Sequence, residues 1–167
     1  MPGALTERAE YVLRLGGDAG LPGYPTRNAL REREDAYVRS DWKQACEQCD
    51  NERISALIEA GIDPNACDEH GQTALMNAAT RGDVDVARLL IERVVDLDHH
   101  AKYGLTALML AVVNGHAEIA SMLIEAGADV SKRGSGAPGF AGKDALALAQ
   151  QLGQDAIVGM LELAKRC

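Results

Sequence analysis

Aromatic side chains are scarce in this sequence: one Trp, one Phe and four Tyr among 167 residues. Strands of a β-sandwich favour aromatic and β-branched residues, so the scarcity points instead to helices closely packed through Ala, Leu, Ile and Val. Basic side chains are also in deficit, 17 against 25 acidic ones, leaving a formal charge of −8. Nonspecific nucleic-acid binding requires Lys and Arg to neutralise phosphates, so no nucleic-acid partner is expected. Long apolar runs are missing. The stretch Leu105–Val113 is interrupted by Thr106 and falls far short of the roughly 20 residues that span a bilayer, so no membrane partner is expected either. The start of the chain carries Glu7 and Arg8 where a secretory signal would place apolar residues. The four cysteines, at 46, 49, 67 and 167, are too few for a disulfide framework and read as reduced thiols, which sets a cytoplasmic expectation. The hydrophobic fraction is nevertheless 47%, enough for a packed core, and the length suits one domain or a short repeat array.

The chain repeats itself. Gly71-Gln72-Thr73-Ala74-Leu75-Met76 returns 33 residues later as Gly104-Leu105-Thr106-Ala107-Leu108-Met109, and Leu89-Leu90-Ile91-Glu92 returns as Met122-Leu123-Ile124-Glu125. A weaker copy precedes these, through Ser40, Trp42, Ala45 and Leu57-Ile58-Glu59-Ala60-Gly61. A later one, with an offset of 38, runs through Asp144-Ala145-Leu146, Gly153, Ile157 and Leu161. Each copy reads as helix–turn–helix. Thr73, Thr106 and Asp144 are expected N-caps, with Ser40 in the same role in the first copy. Gly82, Gly115 and Gly153 are expected to end the first helices, and Gly61 and Gly127 the second ones. A single helix pair buries too little surface to be stable, so neighbouring pairs must stack.

The third copy, Tyr103-Gly104-Leu105-Thr106-Ala107-Leu108 … Asn114-Gly115-His116 … Leu123-Ile124-Glu125-Ala126-Gly127-Ala128-Asp129-Val130, resembles the ankyrin repeat, and the resemblance extends over about residues 35–165. It implies an all-α helix-turn-helix solenoid of about four repeats with a non-repeat, helical N-terminal cap. The expected divisions are 1–34 for the cap, 35–67 for a degenerate first repeat, 68–100 and 101–133 for the two regular ones, and 134–167 for a C-terminal capping repeat with an inserted Gly-rich loop. Departures from the family pattern stand at Met76 and Met109, where the family has His. Val94 stands where it has a helix-ending Gly, so the second helix of the second repeat is expected to run on or to end differently there.

Cys46 and Cys49 form a CxxC that suggests zinc or thiol chemistry, with Cys67, His70, His99 or His100 as the further ligands, Cys67 and His100 holding equivalent loop positions. This is the alternative reading, a zinc- or thiol-dependent regulator or enzyme. Against it, Cys46 aligns with Ala79 and Val112, which are core positions. No nucleophile is expected to meet a base, and the glycines of 134–142 lack the following Lys-Ser/Thr of a phosphate-binding loop. The favoured expectation is therefore a noncatalytic protein–protein interaction module, with no cofactor and monomeric when free, acting as an inhibitor, adaptor or immunity-type protein. Residues 35–133 carry 17 acidic and 9 basic side chains while both flanks balance, so a basic protein, a toxin or an enzyme, is the first expected partner. By position in the resembled family, partner contacts fall on hairpin tips and first helices. This selects Tyr37, Arg39, Glu47 and Gln48; then Glu69, His70, Gln72, Thr80 and Arg81; then Lys102, Tyr103, Leu105, Val113 and Asn114; and Phe140 in the inserted loop. Replacing Tyr103 and Leu105 together by Ala is expected to abolish capture and leave the thermal transition nearly unchanged.

Overall fold

The computed structural model describes residues 40–48, 50–68, 70–93, 95–136 and 139–166, nearly all of them within one compact unit, Trp42–Cys167. The expected N-terminal cap, together with Tyr37, Arg39, Cys49, Glu69 and Val94, lies outside the described residues. Among the described residues the helices are α1 (residues 40–48), α2 (Asn51–Glu59), α3 (Ala74–Arg81), α4 (Val84–Glu92), α5 (Ala107–Val113), α6 (Ala117–Glu125), α7 (Ala145–Leu152) and α8 (Asp155–Ala164), with a 3₁₀ turn at Lys102–Gly104. Among the described residues there is no strand.

Local chemistry sets the helix boundaries. The hydroxyls of Thr73 and Thr106 accept from the backbone N–H of Met76 and Met109, and the Asp144 carboxylate accepts from Ala147 N–H, each satisfying a donor that the first turn leaves without an intrahelical partner. Ser40 does not play this part, because it is itself helical. The second helices begin at Asp50 and Asp83, whose carboxylates cap Arg53 N–H and Val86 N–H. At the other ends, Gly82 and Gly153 are left-handed C-caps. The α5 helix stops one residue earlier, with Asn114 as its C-cap and left-handed Gly115 following. The α4 helix does not run on. It ends at Glu92 with Arg93 as C-cap, in register with α6 at Glu125, because the chain must turn there to reach the next tip.

Within a repeat α3 lies on α4, α5 on α6 and α7 on α8. Between repeats the first helices stack as α3–α5–α7 and the second helices as α2–α4–α6–α8. Leu75, Met76, Leu108 and Met109 are 1% exposed, and Leu90, Ile119 and Leu123 are fully buried. Burying one such side chain is worth about 1.5–3 kcal/mol. Met76 and Met109 thus fill the space between first helices with a flexible thioether, where the related pattern has an imidazole.

The last repeat is tied at both ends by one carboxylate. Asp144 caps α7 and accepts from Lys165 Nζ at 2.8 Å at the end of α8. Partial burial pushes the Asp144 carboxyl up, but the Lys165 ammonium, the Ala147 N–H and nearby Arg133 outweigh it and hold it below the usual carboxylate range. A depressed folded-state pKa contributes stability that is complete above about pH 4, the unfolded value, and is lost as pH falls through the folded-state value. Asp144→Asn keeps an N-cap acceptor and loses the ion pair. It is expected to cost about 1 kcal/mol at neutral pH, and thermal melts of the two proteins should converge in the acid limb.

Candidate functional site

Hairpin tips connect the repeats, and the same closure builds each one. Asp68 N–H donates to Gln72 O, Ala101 N–H to Leu105 O, and Gly134 N–H to Lys143 O, at 2.9, 3.0 and 3.0 Å. The last tip holds five extra residues within this closure, so the insertion lengthens the tip and leaves its base intact. Successive tips are joined edge to edge, with Lys102 N–H donating to His70 O and Ser135 N–H to Tyr103 O.

Below the tips runs a ladder that the repeat reading missed. Asn65 Oδ1 accepts from Asp96 N–H and Asp98 Oδ1 from Asp129 N–H, both at 2.8 Å. The signal lay in the same 33-residue offset, which relates Asn65 to Asp98 and Asp63 to Asp96 and Asp129. Of these loop side chains, the Asn65 amide and the Asp98 carboxylate pin one repeat to the next.

The expected contact residues divide into distinct groups. Glu47, Gln48, His70, Thr80, Arg81, Lys102, Tyr103 and Asn114 are exposed, and Gln72 is half-buried. Thr80 Oγ1 donates to Met76 O and Asn114 Nδ2 to Leu110 O, each at 2.8 Å, so these two polar groups close their own helices. Leu105, Val113 and Phe140 are half-buried and pack against the core. Replacing Leu105 by Ala therefore removes packing, contrary to the expectation that the thermal transition would barely move.

Tyr103 stands apart. It is 46% exposed, and its backbone is left-handed at φ 69, a conformation costing a residue with a Cβ about 1–2 kcal/mol. Ser135 N–H holds its carbonyl, and Lys102 Nζ lies 5.2 Å from its ring centroid, within cation–π range. The tip beneath is tight, since a Cβ on Gly104 would meet Ser135 Oγ at 2.8 Å.

The thiols also resolve. Cys46 is buried, 5% exposed, in the core role its alignment implied. Exposed Cys67 meets His99, not His100, with Sγ 3.3 Å from Nε2, so the repeat does bring a cysteine against an imidazole, contrary to expectation. The arrangement is poorly suited to nucleophilic chemistry. His99 Nε2 lies 3.1 Å from Gly71 O and is best assigned as an N–H donating to that carbonyl. Cys67 Sγ–H points to Asn65 O at 3.4 Å, and partial burial with Asp68, Asp63 and Asp96 pushes the thiol pKa up. Among the described residues, no three His, Cys, Asp or Glu side chains come together as metal ligands, and no helix is long and apolar enough to cross a membrane.

Stacked helix pairs with a common row of tips and first helices define a repeat solenoid that presents one continuous rim. A family model for ankyrin repeats, in three copies, matches residues 42–134, more than half of the chain, and the chain belongs to the ankyrin repeat family. Ankyrin repeat domain-containing protein 46 of Rattus norvegicus and of Mus musculus are each 47% identical to it over 47 residues, 28% of this chain. The match spans 21% of those relatives' own length. Ankyrin repeats generally mediate protein–protein interaction.

Proposed function

We propose that this chain is a noncatalytic binding module that holds a folded protein partner on its hairpin tips and first helices, acting as an inhibitor, adaptor or immunity-type protein. The observation that carries the reading is the row of tips, joined backbone to backbone through His70, Lys102, Tyr103 and Ser135 and bearing exposed side chains on a preformed framework. Preorganised backbone lowers the ordering cost of association, which leaves more of the contact energy as affinity. Exposed Glu47, Gln48, His70, Arg81, Lys102 and Tyr103 are the proposed contact groups, with Glu69 beside them in the sequence.

Charge favours a partner with a basic face. Residues 40–100 carry 13 acidic and 5 basic side chains, a field that speeds encounter with a cationic surface. The test is affinity purification of the full chain from its native cells, at low and at high salt. One protein should co-purify stoichiometrically and re-form the complex from purified components, with association slowing as salt screens the field. Failure of every co-purified candidate to re-form a complex would sink the reading.

A further inference from the structure

In the third and fourth repeats most cations gather at the tips and most carboxylates on the second helices, Lys165 and Arg166 at the end of α8 excepted. Residues 101–166 are neutral overall, six basic against six acidic, but Lys102, Lys132, Arg133 and Lys143 all sit at or beside the tips. Glu118, Glu125, Asp155 and Glu162 lie on the second helices α6 and α8. The two remaining carboxylates are already engaged. Asp129 accepts from Ser131 and lies near Lys132, and Asp144 is held by Ala147 and Lys165.

Elsewhere the cations are matched: Lys43 with Glu47, Arg88 with Glu118, Arg93 with Glu59, Lys165 with Asp144. Arg81 and Arg166 lie at helix C-termini, where the carbonyl ends of the dipole supply the negative partner. Among the described residues, Lys102 and Arg133 have no carboxylate within ion-pair distance, Arg133 acting on Asp144 only from farther off, and Lys143 Nζ meets only the amide oxygen of Gln151. Backbone bonds bring these three together. Ser135 N–H on Tyr103 O and Gly134 N–H on Lys143 O lay residues 102–104, 133–135 and 143 side by side. Among these segments stands Tyr103, exposed and held left-handed with the Lys102 ammonium over its ring. A non-glycine residue kept in that conformation on a surface is the kind of local strain that functional sites retain.

We infer that Lys102, Tyr103, Arg133 and Lys143 form a seat for an acidic peptide segment, its carboxylates meeting the three cations and an apolar side chain lying on the Tyr103 ring. This inference rests on the proposed binding function and adds to it: the partner offers a basic face to the first two repeats and an acidic segment to the tips of the last two. Opposed fields at the two ends of one interface fix the partner's orientation and reject its reversed docking.

The test uses the full chain, labelled for backbone amide NMR, and two short synthetic peptides with a central Leu, one flanked by Glu and one by Lys. The acidic peptide should shift the amides of Lys102, Tyr103, Gly104 and Ser135, and the basic peptide amides within residues 40–100. Lys102→Glu with Arg133→Glu should weaken the acidic peptide about tenfold or more, while the melting transition falls only by the small amount that Arg133 contributes at Asp144, since exposed charges stabilise the fold little. Acidic peptide that leaves these amides unmoved, or binds the charge-reversed chain equally well, overturns the inference, and so does preference of the basic peptide for the same tips. If a natural partner needs Tyr103 while acidic peptides ignore the tips, the seat is wrong and the binding module stands. If acidic peptides bind the tips but no protein does, the module reading fails alone.

Discussion

Gly82→Ala should be among the most damaging single-methyl additions to this protein, lowering unfolding free energy by about 2–3 kcal/mol and the melting temperature by about 5–10 °C. Two causes combine. Gly82 is left-handed at φ 81, and a Cβ there would lie 2.5 Å from Cε1 of His116. That imidazole is not free to swing away without loss, because Nε2 lies 3.3 Å from Thr80 O, tying the third repeat to the end of α3. Gly127 provides the control. Its φ is 93, but nothing lies within 4 Å of the position of a Cβ, so Gly127→Ala should show only the left-handed cost, about 1 kcal/mol. In a double-mutant cycle, His116→Ala should relieve part of the Gly82→Ala penalty, giving a coupling of about 1 kcal/mol between the two sites. Equal losses for Gly82→Ala and Gly127→Ala in urea denaturation would show that His116 does not report on this contact.

Tyr103→Gly is expected to separate recognition from stability. Removing a central aromatic anchor costs about 2 kcal/mol or more at an interface, a loss of roughly 30-fold in affinity. The fold, by contrast, should be unchanged or slightly stabilised, because glycine adopts the left-handed conformation without the steric cost borne by Tyr at φ 69. Leu105→Ala should do the reverse on the fold. Its half-buried side chain packs against the core, so its truncation should cost about 1–2 kcal/mol whether or not it touches a partner. Thermal melts alongside titration of the purified partner distinguish the two variants. A Tyr103→Gly protein that melts lower yet binds normally would assign Tyr103 to structure alone.

Much of the fold was legible because each repeat states the same local instructions. Thr73 and Thr106 mark helix starts by their capping chemistry, Gly82 marks a stop, and the positions of Leu75, Ala78 and Ala79 recur in Leu108, Ala111 and Val112. These are interactions between residues close in the chain, and the 33-residue period repeats them in register. The site was legible only in outline. Position in the repeat located the tips, but gave equal standing to Tyr103, Leu105 and Val113, which the structure divides into one exposed ring and two packed side chains. Thr80 and Asn114 looked like contact groups and turned out to satisfy carbonyls of their own helices. Asn65 and Asp98 were passed over, because a polar loop residue reads as solvated until the backbone N–H it meets in the next repeat is known.

Residue order was enough to specify that this chain builds paired helices, where the first helices of the last three repeats start, and that the pairs must stack, since caps and apolar periodicity act over a few residues. Which side chains the stacking leaves exposed emerged only from the packed repeats. His99 meets Cys67, although His100 holds the loop position equivalent to Cys67, and Ser135 N–H reaches back to the Tyr103 carbonyl. Both encounters join residues 32 positions apart, and they depend on the angle and register at which one repeat settles on the next.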